Sequence, residues 1–135
     1  MVERRFPRTA ASLEAIYAYV REFLSSQGIP LEAAFDVDVI VEELFTNMVK
    51  YGRGGLPEIT IGLDWKRPAL ILQLEDYGAP PFDPGEAPAV DVTRPLAERR
   101  AGGLGLHLVR QMADRLEYAY EDGRSRITVT KRMEA

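Results

Sequence analysis

The chain has 135 residues, 46% of them hydrophobic, and no cysteine, which suits one compact domain over residues 1–135 and excludes disulfides and thiolate metal sites. Its formal net charge of −4 argues against nucleic acid as the main partner, and its single histidine excludes a metal site built on two histidines. Because no apolar run is long enough to cross a bilayer and the stretch MVERRFPRTA lacks the apolar core of a secretory signal, we expect no membrane partner and a cytoplasmic location.

The first part of the chain predicts a short strand followed by two helices. Residues 1–8 favour a strand or arm, and helix one is predicted from about Thr9, its cap, to Gln27. Its apolar positions recur at helical spacing: Leu13, Ile16, Tyr17, Val20, Phe23 and Leu24. Pro30 favours the opening of a second helix at about Leu31, and a glycine cluster ends that helix before the first long strand.

Helix two carries the first candidate chemical groups. Glu43 and Asn47 are four residues apart, so they share one face, and Lys50 lies on the same stripe. A neighbouring stripe has core spacing: Val37, Val41, Leu44 and Met48. The polar stripe by itself fits a solvated face equally well, and later stretches of the chain decide between the two interpretations.

Alternating apolar residues predict two antiparallel hairpins. Glu58–Trp65 and Ala69–Glu75 form the first, and Asp76 continues the buried face of the second strand at the point where it stops. Leu116–Glu121 and Arg124–Arg132 form the second hairpin around an Asp-Gly turn. The predicted fold is a two-layer α/β sandwich, α+β in its order of elements, with helices on one face of a mainly antiparallel sheet.

The segment between the hairpins is rich in proline and glycine. A loop of this length inside a small domain is usually functional, so we interpret residues 83–101 as a lid, with an inserted disordered linker as the alternative. Helix three is predicted over Gly103–Arg115. Its inward positions are expected to be Leu104, Leu108, Val109, Met112 and Ala113.

The glycines at the start of helix three predict a phosphate site. Gly102, Gly103 and Gly105 let backbone amides approach a ligand, a helix N-terminus favours anions, and the neighbouring Arg100 adds positive charge. A simple flexible turn is the alternative interpretation. The chain has no GxxxxGK[ST] pattern, so it is not a P-loop protein.

Three further residues fit a nucleotide at those glycines. Asp76 can accept a hydrogen bond from an amino group such as that of adenine, although an Asp-x-Gly segment is also an ordinary turn. A triphosphate needs a divalent cation, and Mg²⁺ takes oxygen ligands such as the amide oxygen of Asn47. Glu43 is then placed to orient or deprotonate a nucleophile that attacks the γ-phosphate.

Together, three segments resemble the N-box, G1 box and G2 box of the Bergerat-fold (GHKL) ATPases, which include gyrase and the histidine kinases. In chain order they are Glu43-x-x-x-Asn47, Asp76-x-Gly78-x-Pro-Pro-Phe82-Asp83 and Gly102-Gly-Leu-Gly105-Leu. The chain looks most similar to the bacterial anti-sigma-factor serine/threonine kinases of stress response and sporulation, and the resemblance covers nearly its whole length.

The resemblance implies a role for each matching position. Glu43 matches the general base and Asn47 the Mg²⁺ ligand, while Asp76 and Gly78 match the adenine site. The expected nucleotide-binding set is Asn47, Lys50, Asp76, Gly78, Arg100, Gly102, Gly103, Leu104, Gly105 and Leu106. The implied ligands are ATP or ADP with Mg²⁺, and the implied partners are an anti-anti-sigma protein of the STAS fold and a sigma factor or similar regulator. Many members of the family are homodimers.

Two classes of function remain open from the sequence. The first is an enzyme that transfers phosphate from ATP to a serine or threonine of a partner, which is either the STAS-type protein or another regulator. The second is a switch that binds nucleotide and changes its partner affinity without phosphoryl transfer. Glu43 favours the enzyme, because a switch needs no general base.

Overall fold

The computed structural model describes residues 1–51, 56–78 and 103–133. In chain order the elements are β1 (Val2–Pro7), α1 (Leu13–Ser26), α2 (Ala34–Tyr51), β2 (Glu58–Lys66), β3 (Ala69–Tyr77), α3 (Gly103–Met112), β4 (Arg115–Glu121) and β5 (Arg124–Arg132). The strands form one five-stranded sheet in the order β1-β2-β3-β5-β4, and each neighbouring pair is antiparallel. The predicted sandwich is therefore confirmed.

Alternation along the strands puts one face of the sheet under the helices. Residues of this face are buried on the three central strands: Ile59, Ile61, Leu63, Leu70, Leu72, Leu74, Ile127 and Val129. Asp76 continues the same face of β3 beyond Leu74 and is also buried, as predicted. The register pairs Asp76 with Ser125 of β5. The end of β3 thus brings a carboxylate to the edge of the core.

The helices bury the predicted apolar stripes, except that one predicted tyrosine of α1 is replaced in the core by another. On α2 the buried residues include all four predicted positions: Val37, Val41, Leu44 and Met48. On α1, Tyr19 is buried in place of the predicted Tyr17, which is half-buried. The Tyr19 ring lies 5.6 Å from that of Phe6 on β1, and its hydroxyl is within hydrogen-bonding distance of the carbonyl oxygens of Val2, at 3.1 Å, and Ile61, at 3.3 Å. A buried tyrosine needs such partners, and β1 and β2 supply them.

The helix ends differ from the sequence prediction by a few residues. Residues Ala10–Ser12 form a 3₁₀ turn before α1, and Thr9 makes no side-chain capping bond. The hydroxyl of Ser12 donates instead to the carbonyl oxygen of Pro7. A second 3₁₀ turn, Leu31–Ala33, precedes α2.

The third helix is shorter than predicted, because β4 already begins at Arg115. Val109 is fully buried, whereas Leu108 is 40% exposed, so its predicted inward position is wrong. Met112 and Ala113 pack partly against the core, and the inward stripe is therefore centred one residue beyond Leu108. None of the helices in the described part of the chain is both long and apolar enough to cross a membrane.

Candidate functional site

Asn47 lies in α2 and carries a side-chain oxygen that no described residue hydrogen-bonds. The residue is 4% exposed, and its Nδ2 donates to the carbonyl oxygen of Glu43 at 2.7 Å. This bond orients the amide, because only the nitrogen can donate. Oδ1 is then buried with no hydrogen-bond partner among the described residues. A buried polar atom without a partner is costly, and an amide oxygen is a suitable ligand for a hard cation.

Glu43 lies one turn before Asn47 and is partly buried. Burial raises the pKa of its carboxyl group above the usual 4.5; the neighbouring charge of Glu42 adds to the shift, and that of Lys50 opposes it. A carboxylate with a raised pKa is a better proton acceptor near neutral pH. Lys50 is exposed, so its predicted contact with phosphate is neither supported nor contradicted.

Asp76 is the most deeply buried carboxylate of the described residues, at 2% exposure. Both of its oxygens accept hydrogen bonds from the guanidinium group of Arg8, from Nη1 at 3.1 Å and from Nη2. Gly78 follows with a φ of +80°, a conformation that favours glycine, and its N–H donates to the carbonyl oxygen of Gly123 at 2.7 Å. The end of β3 is therefore held from two sides.

Two residues near Asp76 are missing from the sequence prediction. Arg8 is one of them, and no pattern in the sequence around it predicts its contact with Asp76. Ser125 is the other: it lies opposite Asp76 on β5, is 6% exposed, and its Oγ has no partner within the described ranges. Its signal was a polar residue on the strand face that otherwise carries Ile127 and Val129. A hydroxyl there can donate to, or accept from, a polar atom of a ligand beside the carboxylate.

The start of α3 is placed as predicted. The helix begins at Gly103 and includes Gly105 in its first turn, and the first amide N–H groups of a helix have no intrahelical acceptor. The side chains of Leu104 and Leu106 are not among those described. Arg100, Gly102 and the predicted lid at 83–101 also lie outside the described residues.

These features agree with a comparison against known families. The model of the histidine kinase-like ATPase domain matches residues 6–131. The chain belongs to this family. As a member of the histidine kinase-like ATPases, it is 30% identical over 98 residues to the serine/threonine-protein kinase BtrW of Bordetella bronchiseptica, a match that covers 71% of this chain and 68% of that protein.

Solved structures support the same fold. The RsbU and RsbW domains of Rv1364c from Mycobacterium tuberculosis superpose with a TM-score of 0.67 at 14% identity, covering 98% of this chain and 32% of the longer mycobacterial chain. The SiaB–SiaC complex from Pseudomonas aeruginosa gives a TM-score of 0.60 at 14% identity, covering 97% of this chain and 89% of that one. The predicted Bergerat fold is therefore confirmed, and the chain is similar to a bacterial serine/threonine-protein kinase of this family. The roles of the individual site residues stay predictions.

Proposed function

We propose that the chain is an ATP- and Mg²⁺-dependent protein serine/threonine kinase that also acts as an anti-sigma factor. One observation carries the proposal: α2 holds the Asn47 oxygen, which has no hydrogen-bond partner among the described residues, one turn from the carboxylate of Glu43, whose pKa is raised by burial. A site that only holds nucleotide needs the first group, and phosphoryl transfer also needs a proton acceptor such as the second.

The nucleotide is expected to span the site from β3 to α3. Asp76 accepts from the adenine amino group, and the N-terminal amides of α3 at Gly103 and Gly105 bind phosphate oxygens. Asn47 Oδ1 is the protein ligand for Mg²⁺, which fits because that buried oxygen has no other described partner. When bound, the ion would neutralise phosphate charge.

Glu43 is then the catalytic residue for transfer to a serine or threonine hydroxyl. The hydroxyl oxygen forms a bond to the γ-phosphorus, the bond from that phosphorus to the oxygen of the ADP leaving group breaks, and the hydroxyl proton passes to the carboxylate. Burial of Glu43 favours this role, because a desolvated carboxylate accepts a proton more readily than an exposed one.

The proposed phosphate acceptor is an anti-anti-sigma protein of the STAS fold. The proposed second partner, which the chain binds and sequesters, is a sigma factor or similar regulator. The similarity to BtrW, which is named a serine/threonine-protein kinase, supports the acceptor chemistry. The SiaB–SiaC complex supports a protein partner for this fold. A homodimer is also consistent with the resemblance.

The test measures transfer of radiolabelled phosphate from ATP to candidate STAS proteins. Glu43→Gln keeps the size of the side chain but removes the proton acceptor, so transfer should fall about 10²–10⁴-fold while nucleotide binding survives. The matched control is Glu42→Gln, the adjacent and exposed carboxylate, which should leave transfer unchanged. Equal rates for wild type and Glu43→Gln would refute the base assignment. Nucleotide-dependent capture of a partner without any transfer would replace the kinase by a switch.

A further inference from the structure

The guanidinium group of Arg8 makes four hydrogen bonds to three separate segments. Nε donates to the carbonyl oxygen of Leu56 at 2.8 Å, Nη1 donates to that of Met48 at 3.1 Å, and Nη1 and Nη2 donate to the two oxygens of Asp76. The side chain is 13% exposed. Since a guanidinium group has five N–H donors, almost all of its bonding capacity is used within the protein.

Each acceptor lies at a point where the site is assembled. Met48 is in the last turn of α2, where carbonyl groups lack intrahelical partners, and it directly follows Asn47. Leu56 precedes β2, and Asp76 lies at the end of β3. One side chain therefore joins the helix end that carries the proposed metal ligand to the strand end that carries the proposed adenine acceptor.

The bidentate pair still leaves Asp76 able to accept from a ligand. A carboxylate offers about four acceptor positions, and the two bonds from Arg8 use one on each oxygen. If the whole Arg8 side chain moved away, it would leave a carboxylate that is 3% exposed without its ion-pair partner, and the carbonyl oxygens of Leu56 and Met48 would lose their hydrogen bonds to Arg8. These contacts therefore indicate that Arg8 stays bound to Asp76 when the adenine base binds, and does not move away to admit it.

We propose that Arg8 is a positioning residue that makes the site specific for a 6-aminopurine nucleotide. This inference rests on the proposed function, in which Asp76 recognises the base. Arg8 holds the carboxylate in one orientation, so that its remaining lone pairs meet an amino group at C6. A 6-oxopurine presents a carbonyl oxygen there, and two acceptors facing each other repel.

The experiment compares ADP with inosine diphosphate, both in the presence of Mg²⁺, by calorimetry on the full chain. Arg8→Met should weaken ADP binding about 10- to 100-fold, the scale of a hydrogen bond to a charged group, and should weaken inosine diphosphate binding less. The preference for ADP should therefore shrink. Arg8→Lys keeps the charge without the planar fork, and it should shift the preference in the same direction even if Arg8→Met does not fold.

The matched control is Arg21→Met. Arg21 makes another arginine–aspartate pair, with Asp38 at 2.7 Å, which links α1 to α2. Its loss should leave both affinities within about twofold, because the described hydrogen bonds of Arg21 go to Tyr17 and Asp38 and not to Asp76 or the segments that Arg8 joins.

Two results would overturn the inference alone. Equal losses for the two nucleotides would make Arg8 a structural clamp, and a gain in ADP affinity would make it a competitor of the base. Failure of the proposed function looks different: the wild type would show no preference for ADP, and Asp76→Asn would bind ADP as well as the wild type does. In that case both the function and the inference fall.

Discussion

Replacement of Asp76 by asparagine separates the contribution of this carboxylate to stability from its proposed role in base recognition. Asp76→Asn keeps the shape of the side chain but turns one oxygen into an NH₂ group that faces the N–H groups of Arg8. The side chain of Asp76 is 3% exposed and that of Arg8 13%, so water hardly compensates for the lost charge pair. Breaking a buried pair by changing one partner costs about 3–5 kcal/mol.

The lower end of that range applies here. Arg8 keeps its bonds to the carbonyl oxygens of Met48 and Leu56, and the asparagine oxygen can still accept one bond. We therefore expect the free energy of unfolding to fall by about 3 kcal/mol, which lowers the melting temperature by about 10 °C for a chain of this size. Urea titration followed by circular dichroism measures this change.

The effect on nucleotide binding is measured separately, at a temperature where both proteins are folded. ADP binding should weaken by about 1.5–3 kcal/mol, or about 10- to 100-fold, because a neutral amide replaces the charged acceptor for the adenine amine. Isothermal calorimetry with Mg²⁺ gives the dissociation constants. Equal ADP affinity for wild type and Asp76→Asn would remove Asp76 from the site.

The matched control is the neighbouring carboxylate of the same strand. Glu75 accepts from Arg126 Nε at 3.0 Å and from the hydroxyl of Tyr77 at 3.0 Å, and its side chain is 11% exposed. Alternation along β3 puts it on the opposite face of the sheet from Asp76. Glu75→Gln should therefore reduce stability but leave ADP affinity within about twofold. Similar losses of affinity in both variants would mean that Asp76 acts only through the fold.

Three further predictions concern the proposed metal ligand, the proposed general base and the predicted lid. Asn47→Ala should abolish the part of ADP affinity that depends on Mg²⁺, so wild type and variant should bind alike in the presence of a chelator; an unchanged response to Mg²⁺ would exclude Asn47 as a ligand. Because burial raises the pKa of Glu43 above 4.5, the folded chain retains this proton at pH values where the unfolded chain has lost it, so this residue makes stability fall as pH rises through that window. Glu43→Gln should then have a higher free energy of unfolding than wild type at about pH 7. This difference should narrow as the pH falls toward the ordinary pKa of a glutamate carboxyl group, and a difference that is independent of pH would contradict the burial effect. Across residues 83–101, nucleotide should slow amide hydrogen exchange measured by mass spectrometry, and identical exchange with and without nucleotide would contradict the lid prediction.

Features that depend on neighbours in the sequence could be predicted from it. The apolar stripe of α2 is buried as expected, because the spacing of Val41 and Leu44 along one helix fixes which side can face a core. The Asp122-Gly123 dipeptide forms the expected turn, with φ values of +52° and +76°, because the preference for left-handed backbone belongs to these residues themselves. The pairing of Glu43 with Asn47 is local for the same reason, since helical geometry alone places them one turn apart.

Contacts between distant parts of the chain were decided by the tertiary structure. Arg8 is 68 residues from Asp76 in the sequence, and the two meet because β1 and β3 both lie next to β2 in the sheet. The end of α2 lies close enough for Arg8 to donate to Met48 as well. Ser125 faces the site because β5, not β4, pairs with β3, an order that the two predicted hairpins left open. Arg8 and Ser125 are common polar residue types, so the sequence alone does not mark them as residues of the candidate site. Their surroundings are set by strand order and burial, which depend on how the whole chain closes around one core and which no short stretch encodes by itself.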